Sequence, residues 1–167
     1  MRRSDTTIKT DRLWLRQIDE TDADSIVCLR GDEEVYKFFL NPTKLTVSEH
    51  KKWYEFSYIL SDNRIDWIAV DDNSGSLVGV YGAKKNDASK SVELSYITAP
   101  EKQHMGYASE AMAAIEQWCI KQWKTEVFVL SVHKDNKSSI KFADKNGFKR
   151  FKEEDNFYCY KKEVKER

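Results

Sequence analysis

The stretch ITAPEKQHMGYASEAM, Ile97–Met112, decides how the chain is read. An apolar run from Val92 to Thr98 halts at Ala99-Pro100, polar residues follow, and Gly106 opens a segment with helical periodicity. A helix start offers unpaired N–H groups and the positive end of a dipole, so this strand–loop–helix order suits phosphate. Dinucleotide and nucleoside-triphosphate loops need two or three glycines, and neither GxGxxG nor GxxxxGK with a following Ser or Thr occurs here. A single glycine fits a turn in which one backbone position lies against a diphosphate. N–H groups from Gln103, His104, Met105, Gly106, Tyr107 and Ala108 then converge on its oxygens.

Downstream, the segment from Gly106 to Trp123 places Ala108, Ala111, Met112, Ile115, Trp118 and Cys119 along one helical face. EVFVLSV, Glu126–Val132, is a dense β-branched strand. Strand 92–98, helix 106–123 and strand 126–132 thus form a crossover unit whose strands run parallel and whose hand is right-handed.

Upstream, Arg12–Ile18 alternates as a strand, and a helix starts at Thr21 with Asp24 at its N3 position. EEVYKFFL is a short amphipathic turn or helix stopped by Asn41-Pro42. A capping box, Thr46 to Glu49, heads a helix with Trp53, Phe56 and Leu60 at inward spacing. WIAVDD and SLVGVYGAKK flank Asn73-Ser74-Gly75 as an antiparallel hairpin.

Beyond the unit, Asn136–Asn146 is a helix with Ile140 and Phe142 or Ala143 inward, ended by Gly147. FKRFKE and NFYCYKK close the chain as strands, and residues 161–167 read as a frayed tail. The fold class is α/β of the α+β kind, a mixed and mostly antiparallel sheet around one parallel strand–helix–strand unit.

The 167 residues suit a single domain, 1–167. Lys plus Arg equals Asp plus Glu, 28 against 28, so no long-range field draws the chain to nucleic acid or an anionic membrane. No apolar run has the length of a membrane span. Cys28, Cys119 and Cys159 are far apart, with no metal-ligand spacing to a histidine, and read as buried free thiols of a cytoplasmic protein. No metal is expected.

Gln103-His104-Met105-Gly106-Tyr107-Ala108 resembles motif A of the GNAT N-acetyltransferases: Gln or Arg, two residues, Gly, any residue, then Gly or Ala. TDRLWLRQIDETDADSI, VELSYITAP and NKSSIKFADKNGF resemble the branch containing the ribosomal-protein N-terminal acetyltransferases. LRGDEEVYKFF with TVSEHKKWYEF resembles the branch that acetylates nucleotide-linked amino sugars. The resemblance spans about residues 8 to 160 and implies a GNAT-like sheet with helices on both faces. It also implies acetyl-CoA as co-substrate, an amine acceptor (amino sugar, polyamine, amino acid derivative or protein N-terminus) and a possible homodimer.

In such a reaction the amine attacks the thioester as its free base. Glu93, at the start of ELSYIT, is the candidate proton acceptor; the alternative is a solvated strand-end carboxylate. Tyr96 and Ile97 would offer main-chain groups to the thioester carbonyl and pantetheine arm. Asn136 matches the asparagine that bonds that arm, and is equally a natural helix N-cap. The family's usual tyrosine acid falls at Ala143, leaving Ser139 or Tyr158 as candidates, or no protein acid. Without an acid, the chain matches a non-catalytic acyl-CoA-binding or sensor module. Arg30, Tyr36 and Trp53 are the candidate acceptor contacts. His104 reads as a solvent-exposed loop residue, and His50 and His133 as isolated.

Overall fold

Leu13 and Leu15 are fully buried while Trp14 between them is 47% exposed, the period-2 signature of a strand with one face in the core. In the computed structural model, which describes residues 6–165, that strand is β2 (Leu13–Gln17). A two-residue strand not evident in the sequence, β1 (Ile8–Lys9), lies beside it. The hairpin forms as β3 (Arg64–Asp71) and β4 (Leu77–Asn86), followed by β5 (Ser91–Thr98), β6 (Val127–His133), β7 (Lys149–Glu154) and β8 (Phe157–Glu163). These strands form one eight-stranded sheet in the order β1-β2-β3-β4-β5-β6-β8-β7. Only β5 and β6 pair in parallel; every other neighbouring pair is antiparallel.

Helices cover both faces. The long crossover helix α4 (Tyr107–Trp123) buries Ala111, Met112, Ile115 and Cys119 against Leu13, Leu15, Trp67 and Val78. The helix near the C-terminus, α5 (Lys137–Lys145), joins this core through Ala143, with Ile140 and Phe142 partly buried. On the opposite face Ile68 of β3 meets Ile18, Ile26, Tyr54 and Tyr58, supplied by α1 (Ala23–Arg30) and the segment after α3 (Val47–Trp53). A one-turn helix, α2 (Glu33–Tyr36), separates α1 from α3.

Four local expectations need correction. The first helical region is capped by Asp19 rather than Thr21: its carboxylate accepts the Thr21 N–H at 2.8 Å, and Asp22 reciprocates to the Asp19 N–H at 2.9 Å. A 3₁₀ turn, Glu20–Asp22, therefore precedes α1. After Trp53 the helix widens to a π turn, Tyr54–Tyr58, with the Ile59 N–H donating to the Tyr54 carbonyl. That shift turns Tyr54 and Tyr58 inward and leaves Phe56 and Leu60 at 66% and 76% exposure. Lys161–Glu163 are not a frayed tail but the end of β8, paired with β6, and the Val164 N–H donates to the Glu126 carbonyl; residues 166 and 167 lie outside the described residues. The three cysteines are free, but Cys28 is exposed and Cys159 half-buried, so only Cys119 is a buried thiol.

Candidate active site

β5 and β6 are hydrogen-bonded over three rungs only: Ser91–Val127, Val92–Phe128 and Glu93–Val129. Both strands continue, to Thr98 and His133, so beyond Glu93 they splay. On its other edge β5 stays paired with β4 as far as Thr98–Gly79. The wedge opens into a cleft of about 1220 Å³, walled by Leu94–Thr98 on one side and Leu130–His133 on the other. Main-chain groups of the splayed strands are thereby free to meet a ligand.

At one end of the cleft stands the turn before α4. Gly106 caps that helix at φ +81°, and His104 sits at φ +60°. Left-handed residues in a short turn at a helix N-terminus are the backbone setting in which anion-binding nests form. Gln103, His104, Gly106, Tyr107 and Ala108 all line the cleft, whereas the Met105 side chain is 51% exposed and does not. The Gln103 side-chain amide is tied back to the Thr98 carbonyl at 3.3 Å.

Lys137, Lys141 and Lys145, spaced four apart on α5, line the same cleft. With Lys102 they help bring seven Lys and Arg residues against three carboxylates to the cleft wall among the described residues, although the chain as a whole is neutral. The i, i+4, i+8 spacing of these lysines was available in the sequence as a signal.

On the cleft wall, Asn136 caps α5 by accepting the Ser139 N–H at 3.1 Å, and both residues line the cleft. Tyr96 packs its ring on Phe142, with centroids 4.5 Å apart. Burial pushes its phenol up to about 12, countered in part by the Ser139 hydroxyl. The Tyr96 oxygen is enclosed and meets no partner at hydrogen-bonding geometry among the described residues.

The other end is built by α1, α3 and β3. His50 is only 2% exposed, and neither ring nitrogen has a hydrogen-bond partner among the described residues. Burial lowers its pKa, and the nearby Arg30 charge lowers it further. Arg30 lines the cleft with its Nε likewise unpartnered, its guanidinium resting over the Phe39 ring at 5.1 Å. Burial, with the charge of Arg64 added, holds the Arg30 pKa down. Arg64, in contrast, is neutralised by a two-pronged pair with Asp66, at 2.6 and 3.0 Å. Trp53 stands beside this group, 5.4 Å from His50 and 5.4 Å beneath the Arg64 guanidinium.

A family model described as acetyltransferase (GNAT) domain matches residues 12–149. The chain belongs to the GNAT acetyltransferase family. YoaA of Bacillus subtilis, described as an uncharacterized N-acetyltransferase, is 25% identical over 149 residues, covering 86% of this chain and 82% of that protein. RimL, the ribosomal L7/L12 alpha-N-protein acetyltransferase in complex with coenzyme A, superposes with a TM-score of 0.82 at 18% identity, covering 95% of this chain and 98% of that one. FdhC, a nucleotide-linked sugar GNAT, gives 0.80 at 19% identity over 94% and 89%. At these identities the two structures share the fold.

Within the GNAT frame most of the expected site residues come together. Glu93, Tyr96, Ile97, Ser139, Asn136, Arg30 and Trp53 line the cleft, as does the 103–108 turn apart from the Met105 side chain. Tyr158 does not: it lies on β8 between the Lys134 and Arg150 cations, packed on the core, because strand alternation turns its neighbour Phe157 to the cleft instead. Tyr36 is half-buried outside the cleft, where Phe38, Phe39 and Leu40 take its place. His50, read as isolated, lines the cleft at the end built by α1, α3 and β3.

Proposed function

We propose that the chain transfers an acetyl group from acetyl-CoA to a primary amine by direct attack on the thioester. The observation that carries this reading is the wedge between β5 and β6, which opens beside Glu93 and leads to the amide-lined start of α4. The amides of the 103–108 turn receive the pyrophosphate, and the α5 lysines favour the phosphates by charge. Asn136 and the exposed main chain at Tyr96 and Ile97 hold the pantetheine arm and the thioester carbonyl. When bound, acetyl-CoA supplies the activated acyl group.

Near neutral pH most primary amines are protonated, so attack needs a proton acceptor. Glu93 fills that role, directly or through one water; it is exposed at the root of the wedge. A thiol in water titrates at about 8.5 and departs adequately as thiolate, so the chemistry does not demand an acid at Ala143. Ser139, on the cleft wall, offers a hydroxyl to the leaving sulfur.

Arg30 and His50 favour an acceptor bearing a phosphate or carboxylate, such as a nucleotide-linked amino sugar or an amino acid derivative. A polyamine would bring further positive charge to a guanidinium that has no ion pair among the described residues, which is disfavoured in a half-buried site. Calorimetry with acetyl-CoA, then an amine panel followed by release of free thiol, tests the reading. Folded protein that fails to bind acetyl-CoA overturns it. Ala143, fully buried and away from the cleft, favours a second reading as a non-catalytic acyl-CoA-binding module. Binding without turnover across the panel would support that alternative.

A further inference from the structure

We infer that Arg12 is a positioning residue for the Gln103–Gly106 turn: its guanidinium holds the turn in its anion-receiving shape and cancels the charge of Glu110 at the same helix end. The inference rests on the acetyl-CoA reading above. Arg12 precedes β2, far from the turn in sequence, yet its Nη1 donates to the Met105 carbonyl at 2.9 Å. Its Nε donates to Glu110 Oε2 at 2.7 Å, and its backbone N–H to Glu110 Oε1 at 2.9 Å. The Thr10 hydroxyl completes the clamp at 2.6 Å from the same Oε1. The guanidinium also covers the Tyr107 ring at 4.2 Å, and the Tyr107 hydroxyl is anchored on Asp71 at 3.0 Å.

Two physical consequences follow from this arrangement. A residue such as His104 at positive φ is strained and persists only where its surroundings hold it. The Arg12 bond to Met105 fixes the carbonyl between the two left-handed residues. Electrostatics supplies the second consequence. Glu110 lies in the first turn of α4, where its charge would oppose a bound diphosphate. Paired with Arg12, it leaves the positive helix end available for the ligand.

A two-substitution cycle tests both parts by titrating acetyl-CoA calorimetrically. Losing a charge-assisted bond corresponds to about a 10- to 100-fold weaker affinity for Arg12→Ala. At saturating acetyl-CoA, kcat should stay within about twofold, so the loss appears in KM. Adding Glu110→Gln to Arg12→Ala should recover at least about threefold of the affinity, because the bare carboxylate is gone. S-acetylpantetheine, which lacks the pyrophosphate, should be used equally well by wild type and Arg12→Ala. Equal losses with both thioesters, unchanged acetyl-CoA affinity, or no recovery in the double variant would each overturn the inference. Circular dichroism establishes that the variants are folded. Should Arg12→Ala unfold, Arg12→Gln replaces it, since a neutral amide neither offsets the charge of Glu110 nor has the fork that serves Glu110 and Met105 together, and the same loss and recovery are expected. Wild type that fails to bind acetyl-CoA would instead sink the functional reading itself.

Discussion

Glu93 and Val129 form the last rung of the parallel seam, and the strands part immediately beyond them. Under the proposed reaction, this carboxylate at the root of the wedge meets the thioester end of the coenzyme. Replacing Glu93 with Gln keeps shape and removes the proton acceptor. Turnover at neutral pH should fall about 10²- to 10⁴-fold while acetyl-CoA affinity stays near wild type. Raising the pH, which supplies free-base amine, should restore part of the rate. Unchanged steady-state kinetics would remove Glu93 from the mechanism.

Acceptor charge gives a separate test. Arg30→Gln removes the guanidinium charge, which has no ion pair among the described residues, and keeps a polar side chain at that position. The value of kcat/KM for a phosphorylated amino sugar should drop about 10- to 100-fold relative to its unphosphorylated parent. Equal effects on both amines would show that Arg30 does not read charge.

Gly106 tests the turn directly. Its φ of +81° is costly for any residue with a Cβ, and a Cβ there would stand 3.4 Å from Arg12 Nη2. Gly106→Val should cost about 1–3 kcal/mol in stability and abolish measurable acetyl-CoA binding. Binding at wild-type affinity, read by calorimetry, would move the phosphate site elsewhere.

Asp71 links the same region to pH. Bonds from the Ser74 backbone and hydroxyl, and then from Tyr107, hold its carboxylate down at about 2. An unfolded Asp titrates at about 3.9. Because the folded value is depressed, the contribution is fully present above about pH 4 and is lost as pH falls toward 2. Urea denaturation between pH 2 and 6 should therefore show a shallower pH dependence for Asp71→Asn than for wild type. Parallel curves would contradict the assignment.

The crossover unit was legible in the sequence because each of its elements is long and strongly periodic. The hairpin, the α5 cap at Asn136 and the positive-φ Gly147 were equally plain, since turn and cap chemistry is local. Phe56 and Leu60 misled because a π turn adds a residue to the helical repeat, and nothing in composition marks where it falls. The end of the cleft built by α1, α3 and β3 stayed hidden for a different reason. Arg30, His50 and Arg64 come from α1, α3 and β3, and only tertiary packing pairs Arg64 with Asp66 while leaving Arg30 Nε and the His50 ring nitrogens without a partner among the described residues. Tyr158 failed as a candidate because a one-residue step along β8 exchanges the cleft for the core.

The splay also divides labour within the sheet. Five strands lie on one side of the three-rung seam and three on the other, with α4 bridging them in sequence. A coenzyme seated in the wedge would act as mortar between two slabs, supplying cohesion that the missing rungs do not. Thermal resistance should then track coenzyme supply, rising by about 2.7 kcal/mol at a concentration 100-fold above Kd. Under the proposed function, a shortage of acetyl-CoA would lower the protein's stability together with its turnover.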